Sequence, residues 1–185
     1  DDGDPALGQI LEEIKACEAA GYSYDTAQAS FELLARRALG QMPRFFEVKR
    51  YRVTVERRKN KYDKMVSLSE AVVVVKIGDQ KMLSVSESMD ETGSDRGPVN
   101  ALSKALAKDL GPYQSYIDTI RLVDFKVRIT QGGTEAVTRV IIDSEDDTGR
   151  RWSTVGVSAN IVDASFEALL DAVHWKLIQD GAPAS

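Results

Sequence analysis

Gly93-Ser94-Asp95-Arg96-Gly97-Pro98-Val99-Asn100-Ala101-Leu102 is the stretch on which the fold turns. A β-rich run leads into it and a helical pattern leads out. Two glycines bracket a short polar loop, and Pro98 falls at the first helical position, where its missing N–H costs nothing. Val99, Leu102, Leu106 and Leu110 follow at helical spacing. A glycine loop emptying into a helix N-terminus presents backbone N–H groups and the positive end of a dipole, which suits a carboxylate or phosphate. A strand-to-helix turn with no ligand carries the same pattern.

The stretch returns 63 residues later as Gly156-Val157-Ser158-Ala159-Asn160-Ile161-Val162-Asp163-Ala164-Ser165-Phe166-Glu167-Ala168-Leu169. Gly93 matches Gly156, Val99 matches Val162, Ala101 matches Ala164, Ala105 matches Ala168 and Leu106 matches Leu169. Upstream, Glu70-Ala71-Val72 echoes Glu135-Ala136-Val137. Self-similarity of this kind means one supersecondary unit used twice, and two copies make a pseudo-symmetric domain rather than a solenoid.

Around these anchors the pattern fills in. Phe46, Val48, Tyr51, Val53 and Val55 predict a strand, with a bulge where Lys49-Arg50 breaks the alternation. Ala71 to Ile77 is a continuous apolar run, read as a strand buried on both faces. Gly78-Asp79 is a turn and Met82 to Ser86 the third strand, followed by a helix from Pro98 to Leu110. Val123, Phe125, Val127 and Ile129 alternate, Gly132-Gly133 turns the chain, and strands follow over Ala136–Ile142 and Arg151–Val157. The last helix runs over Ile161–Leu177 with Ser165, Ala168, Leu169, Ala172 and Val173 inward. Before all this, Leu7, Ile10, Leu11, Ile14 and Cys17 make one helical stripe. Asp25 and Gln28 resemble a capping box for a second stripe of Ala27, Phe31, Leu34, Ala35 and Ala38, closed by Gly40 and Pro43. The expectation is an α+β fold, two pseudo-symmetric βββα units over residues 44–185, preceded by a helical connector over 1–43. Apolar residues on more than one sheet face predict a homodimer.

Composition narrows the function. The chain has 185 residues, 43% of them hydrophobic, and a net charge of −5, which disfavours nucleic acid as a partner. The basic cluster Arg57, Arg58, Lys59, Lys61 and Lys64 reads as a solvated hairpin tip. No run approaches the length of a membrane span. Cys17 stands alone, which excludes an internal disulfide and fits a reducing, cytoplasmic setting. The chain opens at Asp1 without a methionine or signal peptide and reads as a fragment. His174 is the one histidine, so no zinc site or catalytic constellation is expected.

Gly97-Pro98-Val99-Asn100-Ala101-Leu102, with Gly156 to Ser165, Tyr24 to Ala38, Arg44-Phe45-Phe46-Glu47-Val48 and Leu122 to Ile129, resembles the C-terminal regulatory domain of the 2-isopropylmalate synthase and (R)-citramalate synthase family, the citramalate branch more than the other. The resemblance implies an acyltransferase whose catalytic barrel, with its divalent metal and acetyl-CoA, lies outside this chain, so that the chain itself holds no cofactor and no catalytic residue. It implies a connector at 1–43 to that barrel, a homodimer, and feedback inhibition by a branched-chain amino acid, isoleucine or next leucine. Carried over by residue, the effector loop falls on Gly97, Pro98, Val99, Asn100 and Ala101. The pocket wall falls on Leu122, Phe125, Ile129 and Ala136, with Ile161. Asp95-Arg96-Gly97 stands where the family has Gly-Asn-Gly or Gly-Asp-Gly. That departure motivates a second reading, a dimerisation module without effector binding.

Overall fold

The computed structural model describes residues 5–90, 97–130 and 136–185. Gly93, Asp95, Arg96 and the Gly132-Gly133 turn lie outside the described residues. The elements are α1 (Pro5–Ala19), α2 (Gln28–Ala38), β1 (Glu47–Lys59), β2 (Met65–Ile77), β3 (Gln80–Asp90), α3 (Pro98–Lys108), a 3-10 turn (Gly111–Tyr113) running into α4 (Gln114–Ile117), β4 (Arg121–Ile129), β5 (Thr138–Glu145), β6 (Arg151–Ser158) and α5 (Ile161–Gln179). Two antiparallel sheets result, ordered β1-β2-β3 and β4-β5-β6, each followed by a helix that packs on it, α3 and α5. This is the expected α+β fold with βββα used twice. The chain divides into two compact units, Arg44–Asp118 with Pro183–Ser185 and Asp1–Pro43 with Thr119–Ala182.

In the unit built on β1-β2-β3, the basic tip is the β1–β2 hairpin, and Lys59 pairs there with Asp63 at 2.7 Å. The bulge falls where the alternation breaks, between Val48 and Arg50. β2 is the central strand, and Ala71 to Val75 are buried on both faces. It is longer than its apolar run because Met65 to Glu70 pair with the exposed end of β1. β3 likewise continues to Asp90, paired with the polar start of β2. α3 buries Ala101, Leu102, Ala105 and Leu106. Phe45 and Tyr113, nearly fully buried, meet edge-on at 5.5 Å, and the Tyr113 hydroxyl donates to the Pro183 carbonyl at 2.9 Å.

In the other unit α5 lies on β5 and β6, burying Ala164, Ser165, Ala168, Leu169, Ala172 and Val173. Gly156 is inside β6 rather than in a loop, and it faces the helix. A Cβ built on it would lie 1.9 Å from the Ala164 carbonyl oxygen, so its absence of a side chain is what admits the helix. Gly156 lies in the strand expected over Arg151–Val157, while its sequence match, Gly93, is outside the described residues. Ala136-Val137, the described part of the echo of Ala71-Val72, lies ahead of a strand rather than within one. β5 begins at Thr138, and Ala136 is exposed ahead of it, because the strand starts where pairing with Ile129 starts.

α1 buries no residue and α2 buries Ala29, Ser30, Leu33 and Leu34. The predicted stripe is therefore rotated, and Phe31 is exposed. The capping box is absent. The helix starts two residues later than that box would require, with Ala27 as N-cap and no side-chain cap. Polar anchors set the rotation. The Ser30 hydroxyl accepts from the Val155 N–H at 3.0 Å and donates to Asp171 at 2.7 Å. Ser30 and Glu167, which accepts from the Val157 N–H at 3.0 Å, thereby satisfy the outer edge of β6.

Candidate functional site

β4 is an edge strand with a register shift between Leu122 and Asp124. Without a bulge, residues three apart on a strand point to opposite faces. The extra residue, Val123, brings Leu122 to the face that carries Phe125, Val127 and Ile129, opposite Ser144, Ile142, Val140 and Thr138 of β5. Val140 and Ser144 pair in turn with Gly156 and Trp152 of β6, and Gly156 abuts α5. The row on β4 therefore shares the α5 face of the sheet. Since α5 packs on β5 and β6, the row is left bare. Ile129 is 72% exposed, Leu122 and Val127 40%, and Phe125 is half-buried. Three of the expected wall residues, Leu122, Phe125 and Ile129, are thus brought onto one uncovered apolar face. Ala136 precedes β5, and Ile161 is the exposed first residue of α5.

The expected loop residues belong to the other unit. Gly97 is the N-cap of α3, in extended backbone with no side chain to cap the helix, and Pro98 occupies the first turn. The start of α5 is built differently, with Asn160 accepting from the Val162 N–H at 2.8 Å. Ala101 is fully buried against the sheet, while Val99 and Asn100 are half-buried. Among the described residues no side chain caps the start of α3, an arrangement that suits an external carboxylate.

Sequence reasoning missed two polar clusters, both in the second unit. Asp146, fully buried in the β5–β6 turn, accepts from Thr148, Arg150 and Lys176, and Asp180 closes the network through Arg150 and Lys176. Burial alone would push the Asp146 carboxyl up, but these hydrogen bonds outweigh it and hold it well below the usual carboxylate range. Around α2, Asp171 pairs with Arg37 at 2.5 Å, and the Tyr22 hydroxyl donates to Glu167 at 2.5 Å. Burial raises the carboxyls of Glu167 and Asp171. Burial, then the charge of Arg37, pulls His174 down to about 4. Asp146 draws on Lys176 near the far end of α5, and Asp171 on Arg37 of α2, so local spacing shows neither cluster. Among the described residues no group of three or more His, Cys, Asp or Glu is placed to hold a metal, and no helix is long and apolar enough to cross a membrane.

Comparison with known proteins adds the family. Residues 25–177 match the model of the LeuA allosteric (dimerisation) domain. An (R)-citramalate synthase of Geobacter sulfurreducens is 44% identical over 96% of this chain and 32% of its own length. That of Aquifex aeolicus is 38% identical over 95% of the chain and 32% of its own length. A 2-isopropylmalate synthase of Pseudoalteromonas atlantica is 28% identical over 89% of the chain and 30% of its own length. The chain therefore spans about a third of the relatives that it matches.

Proposed function

Because the chain belongs to the LeuA allosteric (dimerisation) domain family of citramalate and isopropylmalate synthases, we propose that it is the feedback-regulatory part of a cytoplasmic enzyme that condenses acetyl-CoA with a 2-oxo acid, and that its ligand is a branched-chain amino acid. Isoleucine is the first choice and leucine the second, because similarity covers the chain at higher identity with citramalate synthases. The observation that carries this reading is the bare row Leu122, Phe125, Val127 and Ile129, aligned on one face by a bulge. Aliphatic and aromatic groups of this size enclose a branched side chain by dispersion and water release. The uncapped start of α3, in its own unit, is a feature that a carboxylate would favour.

The chain supplies regulation and assembly, and turnover belongs to a barrel outside it. Purified chain given acetyl-CoA, pyruvate and a divalent metal is expected to release no CoA. It is expected to sediment as a homodimer at tens of micromolar. Calorimetric titration with isoleucine, leucine and valine tests the ligand. A chain that dimerises and gives no heat with any of the three is the dimerisation module that Asp95-Arg96 motivates.

A further inference from the structure

The helical segment read from the sequence as a connector over residues 1–43 is, over its described residues 5–43, part of the β4-β5-β6 unit. Gly21, at φ +108, lies against Thr130 of the β4 end, Val137 ahead of β5 and Val157 of β6, all within 3.5 Å of a Cβ built there. Val157 pairs with Arg139, and Arg139 with Arg128. Arg128 alternates with Val127 and Ile129, so Gly21 sits on the sheet face opposite the bare row. From there the chain rounds the β6 edge, where Tyr22 reaches Glu167 and Ser30 holds Val155, and α2 comes to rest on α5 and β6. It forms a strap around the sheet.

The geometry points to a coupling: we propose that the Gly21–Ala38 strap reads occupancy of the β4 row, with Arg139 and Glu167 as the positioning residues that link them. This rests on the effector reading above. Arg139 donates from Nε to the Gly21 carbonyl at 2.6 Å and from a terminal nitrogen to the Tyr22 carbonyl at 3.5 Å. Its register partner, Arg128, lies between Val127 and Ile129. A ligand that tightens or tilts β4 therefore acts on the rung next to the strap's anchor. Glu167 ties the strap to two further elements, taking the Tyr22 hydroxyl on one oxygen and the Val157 N–H on the other. Ala27, Ala29, Leu33 and Leu34 bury the strap's apolar side, and polar ties fix where it sits. α1 buries nothing. The buried face of α2 includes Ser30 against Asp171, and Asp171 also takes the half-exposed Arg37, a pair that places the helix more than it stabilises it.

The molecule carries its own reporter. Both tryptophans stand at the strap's seat. Trp152 and Trp175 stack at 5.3 Å, Trp152 and Ala172 pack with Ala29 of α2, and Trp175 donates to Glu32 of α2 at 2.8 Å. The test titrates the 185-residue chain with isoleucine and leucine, following heat and tryptophan emission together. The parent should give heat and an emission change with one midpoint. Arg139→Gln should keep its affinity within about threefold and lose the emission change. Arg139→Lys, which keeps one donor for the Gly21 carbonyl, should restore at least half of it. Tyr22→Phe, which removes only the hydroxyl, should reduce the response without altering affinity and serves if Arg139→Gln fails to fold. Heat without an emission change in the parent, or an undiminished change in Arg139→Gln and Tyr22→Phe, overturns the coupling alone. No heat in the parent overturns the effector reading and the coupling with it.

Discussion

Aligned on their bulges, the two sheets place Ala71 opposite Ser86 where the other has Val140 opposite Gly156. The helices begin 63 residues apart, and Ala101, Ala105 and Leu106 of α3 correspond to Ala164, Ala168 and Leu169 of α5, all buried. The two repeats therefore share a skeleton and distribute volume differently. In the first, a small residue on the central strand and a serine on the edge leave room for the helix. In the second, a larger central valine is offset by removing the edge side chain altogether, so that the Ala164 carbonyl can lie over Gly156. They also differ in what surrounds them. α5 runs on to Gln179, and the added turns carry Lys176 into a buried ion pair with Asp146, while Asp171, at the position of Lys108, pairs with Arg37, whereas the buried residues of α3 are all apolar. A repeat can thus keep its packing face while its far end is recruited for attachment.

The sharpest way to break this comparison is at the paired edge positions. Gly156→Val should prevent folding, and Gly156→Ala should cost about 3 kcal/mol or more, since the helix would have to move bodily. Ser86→Ala at the matching place should change stability by less than about 0.5 kcal/mol. Urea unfolding measures all three, and a tolerated Gly156→Ala would contradict the close approach. Next in size is Lys176→Met. It leaves buried Asp146 short of a partner and should cost about 3 kcal/mol, where Lys108→Met at the end of α3, exposed on the carbonyl of Val85, should cost well under 1 kcal/mol.

A smaller effect concerns pH. His174 is held neutral, with its pKa pulled to about 4. Unfolding therefore takes up a proton as pH falls from 6.5 towards 4, and that much stability is lost over this window. Glu167 and Asp171, whose carboxyls are raised, work in the opposite sense, because the folded state keeps their protons longer. The contribution of His174 is isolated by difference. Between pH 6.5 and 5, His174→Gln should lose about 1–2 kcal/mol less stability than the parent. Equal slopes would remove the histidine from the account.

What was legible in the sequence was whatever local spacing controls. The helix starts at Pro98 and Ile161, the bulge at Lys49 and the inward face of α5 all follow from period and punctuation. The second bulge was hidden because Val123, Phe125, Val127 and Ile129 alternate without a break, although Val123 is the extra residue and Leu122 takes its place on the face. Gly156 was legible as a strand residue, but its role was not, because the close approach of α5 is a matter of space and not of local spacing. The strap was invisible, since Arg139, Glu167 and Asp171 meet their partners more than a hundred residues away. Of the expected site, the β4 row was legible as alternation, and its exposure depended on how far α5 reaches across the sheet.

The central claim is that this row receives a branched-chain side chain. Calorimetric titration of Phe125→Ala beside the parent tests it, with Ser86→Ala as a folded control. The account predicts saturable binding of isoleucine or leucine by the parent and by Ser86→Ala. Affinity should fall on the order of 10–100-fold in Phe125→Ala of unchanged circular dichroism. Binding by folded Phe125→Ala with the parent's affinity would contradict it.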